Sequence, residues 1–307
     1  MKKSSLNRPA KPRPVIIKKS LWFLAALVFL LVVLFLTGMW HGRFNFRYKT
    51  VEIEYRGLPP ALEGFTIVHI SDFHLKSFEG HRDKLRQVTD SINAMKPDII
   101  VNTGDFVTIL HDEMEPFMDI LGTMKARHGV YAIPGNHDTG LYSGMYDSDN
   151  YSEHMAVIGN MLRGAGHVYL QDSLACIMID SVRLAITGVA TYGRVPDLYY
   201  GDTDRAMEDA GSADFRILLS HDSNHWVREI SKRSDIHLTL SGHTHGMQIG
   251  LLLPGVSLSP ARLLYPAWYG LYGDDNNYLY VNPGLGTIGM PARIGMPPEI
   301  TVIRLSS

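Results

Sequence analysis

The sequence predicts an α/β domain with both faces of its sheets covered, preceded by one helix able to span a membrane. Two observations carry this reading. From Val51 onward, short apolar runs alternate with helix-like segments, the order that builds sheets packed between helices. Ahead of them, Leu21–Trp40 runs for twenty residues without a charge.

At a helical rise of about 1.5 Å per residue, that stretch spans roughly 30 Å, the thickness of a bilayer core. A cleaved signal peptide would have a shorter apolar region and small residues at its cleavage site; "TGMWHGR" at Thr37–Arg43 is a poor match. An uncleaved anchor is therefore expected. Seven basic residues precede it (Lys2, Lys3, Arg8, Lys11, Arg13, Lys18 and Lys19), and no acidic residue occurs before Glu52. The positive-inside rule keeps that tail cytoplasmic and sends the body across a cell membrane in a single pass. The expected division is a basic tail at 1–20, an anchor at 21–40, a linker with a first strand region at 41–63, and one domain over 64–307.

The segments of the body follow in order. "FTIVHISDFH" reads as a strand, Asp83–Met95 as an amphipathic helix, and "PDIIVNTGDF" as the next strand. Asp112–Ala126 reads as helical, "GVYAIPGNHD" as a third strand, and Tyr151–Arg163 as a helix with Met155, Ile158 and Leu162 on its packed face. Strands at "ACIMID", "RLAITGVA", "FRILLSHD" and "IHLTLSGHTHG" are interleaved with helical Asp204–Asp209 and Trp226–Arg233. The aromatic stretch Tyr265–Tyr280 can wall a pocket, rest at a membrane interface, or form a packed loop.

Composition narrows the function classes. Without the seven tail residues, 22 basic side chains face 31 acidic ones, so the body is a poor match for a nucleic-acid backbone. No nucleic-acid partner is expected. The single cysteine, Cys176, excludes an intrachain disulfide framework and any multi-cysteine zinc site. Within "LACIMID" it reads as a small buried hydrophobe rather than a nucleophile.

Several strands end alike: an apolar run, then His, Asp or both as the chain turns. Those ends supply Asp72 and His74, Asp105, Asn136 and His137, His221, and His243 and His245. Ligands of open α/β sheets gather at the carboxyl ends of strands, and residues two apart on extended chain point the same way. Gly104, Gly135 and Gly242 beside them let the backbone turn sharply. Each piece alone is weak, because a lone Asp-x-His is mostly accident and a hydrogen-bonded turn explains Gly-Asn-His-Asp. Five pieces in this order are what carry the reading. By contrast, His69 and His237 lie within apolar strands, and His81, His111 and His128 lie in polar stretches; none of these five is counted as a ligand. Imidazole, carboxylate and one amide without thiolate suit Mn, Fe or Zn and are too nitrogen-rich for Mg or Ca. Seven candidate ligands among these eight strand-end residues exceed what one open catalytic ion needs, which favours two divalent ions about 3.5–4 Å apart.

The series Asp72-x-His74, Gly104-Asp105, Gly135-Asn136-His137-Asp138, His221 and Gly242-His243-x-His245 resembles the calcineurin-like metallophosphoesterase family, from about residue 64 to the C-terminus. Within it, "VNPGLGTIGMPARIGMPPEI" looks like the membrane-anchored bacterial branch. The resemblance implies a four-layer αββα sandwich with metals at the strand ends. It implies Asp72, His74 and His245 on the first ion, Asp105 bridging, and Asn136, His221 and His243 on the second. His137 would not be a ligand; it would face substrate and protonate the leaving oxygen or steady the phosphoryl charge.

One departure stands out. Many relatives read Gly-Asp-x-x-Asp, where the second Asp orients the catalytic histidine. Here the stretch is Gly104-Asp105-Phe106-Val107-Thr108, which leaves Asp138 as a candidate substitute.

The expected activity is a hydrolase of phosphomonoesters or phosphodiesters, using a hydroxide held between the ions and acting on a substrate that can be lipid-linked. A lipid pyrophosphatase acting on a nucleotide-diphosphate lipid is the alternative, since some family members cleave a lipid A precursor at its pyrophosphate; it requires a cytoplasmic active site. A metal-binding scaffold without catalysis is the third reading.

Overall fold

Where the sequence reads strands as unbroken apolar runs, the central ones bury both of their faces, and an edge strand does not. The computed structural model describes residues 14–147, 149–190, 201–274 and 276–307. Residues 1–13 of the expected basic tail lie outside the described residues. The first helix, α1 (Pro14–Trp40), carries the apolar stretch, and among the described residues it is the one helix long and apolar enough to cross a membrane.

The chain then forms β1 (Arg47–Glu54), β2 (Thr66–Ile70), β3 (Ile99–Asn102), β4 (Val130–Ala132) and β5 (Val168–Tyr169). A second series is β6 (Ser173–Ile179), β7 (Val182–Gly188), β8 (Phe215–Leu219) and β9 (Leu238–Ser241). A small hairpin pairs β10 (Leu251–Leu253) with β11 (Val256–Leu258). The last strands are β12 (Gly270–Asp274), β13 (Asn277–Val281) and β14 (Glu299–Ser306). They build two six-stranded sheets, ordered β1-β14-β2-β3-β4-β5 and β12-β13-β9-β8-β7-β6. The C-terminal strand β14 enters between β1 and β2, parallel to the first and antiparallel to the second.

The period of two along each strand sorts the core into layers. Ile67, Ile99 and Val101 of the first sheet meet Ile186, Ile217 and Leu240 of the second between the sheets. Val68, Ile70 and Ile100 point the other way, onto α2 (Arg82–Ala94), α3 (Met118–Leu121) and α4 (Tyr151–Gly164). Ala185 and Leu218 pack outward with Ala206 and Met207 of α5 (Thr203–Met207) and with Trp226 of α6 (Asn224–Arg228). The result is the expected four-layer αββα sandwich. Each such aliphatic side chain, fully buried, contributes about 1.5–3 kcal/mol.

Local sequence explains the helix lengths. In α2, Leu85, Val88, Thr89 and Ile92 are buried at helical spacing. The helix stops where Lys96 turns left-handed (φ 52°) ahead of Pro97. The expected helix over Asp112–Ala126 is shorter than its pattern. Pro116 lies in a 3₁₀ stretch at His111–Phe117, and only Met118–Leu121 is α-helical before Gly122.

Two other expectations change. Cys176, expected to be buried, is exposed, because β6 is an edge strand with one neighbour. Tyr265–Tyr280 is mostly the β12–β13 hairpin rather than a loop.

Candidate metal centre

The ends of β2, β3, β4, β8 and β9 converge at one edge of the sandwich. Their polar turns form two groups of donors that share a residue. Asp72, His74, Asp105 and His245 place their ligand atoms within 4.8 Å of one another, as do Asp105, His221 and His243. Asn136 joins the second group: its Oδ1 lies 3.1 Å from His221 Nε2 and 2.7 Å from His243 Nδ1. All seven residues named as ligands from the sequence are therefore together.

The backbone of this edge is strained. Asp72 (φ 50°), His74 (φ 41°), Asp105 (φ 56°), His243 (φ 72°) and His245 (φ 50°) are all left-handed. Asp and His enter that region more readily than most residues, yet each such position costs on the order of 1–3 kcal/mol. Local preference does not explain five of them; a site that over-determines their geometry does. The flanking glycines serve close approach: a Cβ on Gly135 would run into the Asp105 carboxylate, and one on Gly242 into Ser71 and Asp72.

Hydrogen bonds fix which atom of each side chain faces inward. His221 Nδ1 donates to the Thr103 carbonyl at 2.6 Å, which leaves Nε2 facing Asp105 at 3.2 Å. His245 turns Nε2 to Asp72 Oδ1 at 3.2 Å, and its Nδ1 lies 3.4 Å from Arg293 Nη2. Arg293, buried to 1% exposure, also donates to the carbonyls of Gly286 and Pro283. His243 directs Nε2 to the Tyr265 hydroxyl at 3.3 Å, so the start of the aromatic stretch does wall the site.

Charge tests whether a cation belongs here. Asp72 and Asp105 are both buried. Burial alone would push their carboxyls up, but His245 beside Asp72 and His221 beside Asp105 hold both below the usual carboxylate range. Burial disfavours charge on His221 too, yet Asp105 raises it to about 10. Oxygen and imidazole donors converging on buried negative charge fit a divalent cation.

His137 stands at the rim. Its ring stacks on Tyr142, with centroids 4.1 Å apart, and meets the His74 ring edge-on at 5.0 Å. Its backbone N–H donates to Asp105 Oδ1 at 2.8 Å. Its orienting partner is the Thr108 carbonyl, 2.7 Å from Nδ1. Thr108 occupies the place of the missing second Asp, so the main chain replaces a side chain.

Asp138 does not take that part. It accepts N–H bonds from Phe106 (2.9 Å), Val107 (3.1 Å) and Gly135 (2.9 Å), stapling the loops after β3 and β4. Burial and Asp105 push its carboxyl up to about 7, against the pull of the Gly135 and Val107 N–H groups. Sequence reasoning missed Arg293, Thr108 and Asn282. Asn282 bonds the His69 carbonyl and the Gly284 N–H behind Asp72. None of the three carries a metal-ligand signature. His69 is a packing residue as expected, bonded to Thr103 Oγ1 at 3.0 Å.

The family model for calcineurin-like phosphoesterases matches residues 65–247. A transmembrane protein with metallophosphoesterase domain from Danio rerio is 31% identical over 262 residues, covering 83% of this chain and 56% of that one. Metallophosphoesterase YkuE of Bacillus subtilis (strain 168) is 32% identical over 257 residues, covering 81% and 82%. The chain spans 56% to 62% of the length of the Danio rerio and Bos taurus transmembrane relatives. A dimetal phosphatase from Danio rerio aligns at TM-score 0.42 and 12% identity over 80% of this chain and 94% of that one, too distant to carry an argument. With one family model matching more than half its length, and a bacterial relative matching most of both chains, the chain belongs to the calcineurin-like phosphoesterase family.

Proposed function

We propose that the chain is a membrane-anchored hydrolase of phosphomonoesters or phosphodiesters working with two divalent ions, Mn, Fe or Zn. The observation that carries this reading is Asp105. Its Oδ2 lies 3.5 Å from His74 Nε2 and 3.2 Å from His221 Nε2, so one carboxylate oxygen belongs to both donor groups. Asp72, His74 and His245 would hold one ion, and Asn136, His221 and His243 the other. When bound, two such ions supply an activated water and neutralise phosphoryl charge.

The protein's own part is orientation and proton transfer. Asp105 Oδ1 is tied to the His137 N–H, which keeps Oδ2 turned to both groups. The Thr108 carbonyl can only accept, so it fixes Nδ1–H as its donor and turns Nε2 to the rim, where a second proton on Nε2 would be the one passed to a leaving oxygen. In-line displacement needs attack opposite the leaving group, and His137 on the open rim serves the leaving side. The domain is read as residues 64–307, joined to an anchor at 21–40.

A groove of about 600 Å³, lined by Thr108, Lys76 and Thr287, reaches Arg43 just beyond α1. It favours an ester met near the bilayer, including lipid-linked ones. A screen of mono-, di- and pyrophosphate esters with added Mn²⁺ tests the reading. Turnover of p-nitrophenyl phosphate or its bis ester supports it; turnover of nucleotide-diphosphate lipids alone gives the pyrophosphatase, and none at all gives the scaffold. Protease added outside spheroplasts should digest the body, because the basic tail holds the N-terminus inside. Protection would reverse the orientation.

A further inference from the structure

Gly246–Ala261 is sixteen residues without a charge, and it folds outward rather than into a core. In the β10–β11 hairpin Leu251 pairs with Leu258, and Leu253 with Val256. Directly opposed residues of an antiparallel pair share a face, so these four make one apolar surface. They are 46–53% exposed, and Leu263 and Leu264 beside them are 86% and 47% exposed. Leu252, on the other face, packs with Ala261, Trp268 and Met296. The hairpin is thus anchored on one side and bare on the other. Scattered apolar side chains need no partner, but a contiguous face does.

What covers it follows from where it is attached. Arg293 N–H donates to the Gly38 carbonyl in the last turn of α1 (3.2 Å), and Gly250 N–H donates to the Ile294 carbonyl (2.9 Å). A Cβ on Gly38 would meet the Ile294 side chain and Arg293 carbonyl, and one on Gly42 would run into that carbonyl. The end of the apolar helix, the Arg293–Ile294 segment and the hairpin are therefore joined side by side, at the level where the chain leaves the bilayer. Trp40, 71% exposed at that level, has the side chain that favours membrane interfaces.

We propose that the Leu251/Leu253/Val256/Leu258 face lies in the bilayer interface as a second membrane contact. This rests on α1 being a membrane anchor. The contact would orient the catalytic edge as well as tether it. Ser259, next to Leu258, donates to the Gly246 carbonyl at 2.6 Å, one residue past His245. Tyr265, after Leu264, reaches His243. The donor groups then lie close to the lipid headgroups, and esters carried by amphiphiles are presented to them in a fixed orientation. Arg262, exposed and next to Leu263 in the chain, suits anionic headgroups.

Three single-cysteine variants of the full chain, each carrying Cys176→Ser, test this in phosphatidylethanolamine/phosphatidylglycerol vesicles. Leu253→Cys, Val28→Cys and Met178→Cys are labelled with an environment-sensitive fluorophore and exposed to doxyl-labelled lipid. The proposal expects blue-shifted emission at Val28 and Leu253, and quenching at Leu253 roughly threefold or more above that at Met178. Quenching at Val28 with none at Leu253 overturns the contact while leaving the anchor. No quenching at Val28 overturns the anchor and the proposal with it. A label at Leu253 that lipid does not quench, together with cross-linking to a dimer, assigns the face to a second copy instead.

Discussion

Around Asp105 the site divides into a closed half and an open half. In the closed half, Asp72 and His74 are 0% exposed and His245 is 5% exposed, and Arg293 lies behind them. In the open half His221 is buried like the closed set, but His243 is 16% exposed, and Asn136 reaches outward to the hydroxyl of exposed Tyr142 at 3.0 Å. The donors differ at one place: the closed half has the Asp72 carboxylate where the open half has the Asn136 amide, each beside two imidazoles and the shared Asp105. Access to water differs, and the proposed roles follow it: the closed ligand set would retain an ion, whereas the open one would keep a position for substrate. His137 stands at the rim between the halves, its ring stacked on Tyr142 and edge-on to His74, where a leaving group would reach it.

The largest effect should come from removing what the two halves share. Asp105→Asn is expected to abolish hydrolysis and to lower metal content in both halves, read by elemental analysis of the purified chain. A variant that keeps both ions and near-normal turnover would break the division at its root.

Next comes the rim. His137→Ala should keep both metals, because Asn136 beside it still ligates, and should lose roughly 10²–10⁴-fold on an alkyl phosphate. The loss should be smaller on a nitrophenyl ester, whose leaving group departs with little help. Equal losses would make His137 an electrostatic stabiliser, and loss of metal would make it a ligand.

A smaller and one-sided effect is expected behind the closed half. Arg293→Lys keeps the charge but not the fork that joins His245 to the Pro283 and Gly286 carbonyls. It should weaken one ion about 10–100-fold, the usual cost of losing a residue that orients a ligand, and spare the other. Calorimetric metal titration separates the two; equal weakening would show that the halves are not independent.

The smallest effect lies under the closed half. Burial lowers His69 to about 3, so the folded protein excludes a proton that the unfolded chain takes up near pH 6.5. Stability is therefore lost as pH falls below 6.5, by about 2 kcal/mol at pH 5 from this group alone. His69→Gln should flatten that part of the denaturation profile; an unchanged slope would mean that His69 does not set it.

How much of this the sequence discloses depends on which atoms do the work. The seven donors are legible because each is an Asp, Asn or His placed where an apolar run turns. Thr108 is not, because its carbonyl orients His137 and any residue has a carbonyl; Asp138 looked like the substitute only because its side chain is the right kind. Arg293 is hidden for another reason: it serves His245 from 48 residues away. The insertion of β14 between β1 and β2 depends on pairing across nearly the whole chain. "LLLPGVSL" carries no alternation to say which face is bare, and the helix over Asp112–Ala126 failed at Pro116, a signal that was present and outweighed by the apolar spacing.

One measurement tests the central claim most directly. Metal-free chain is titrated with Mn²⁺ while bound metal and hydrolysis of bis-p-nitrophenyl phosphate are followed together. The closed half should fill first with little turnover, and activity should rise with the second equivalent and level near about two ions per chain. Full activity at one equivalent, or none at two, would contradict a site in which one half holds and the other half works.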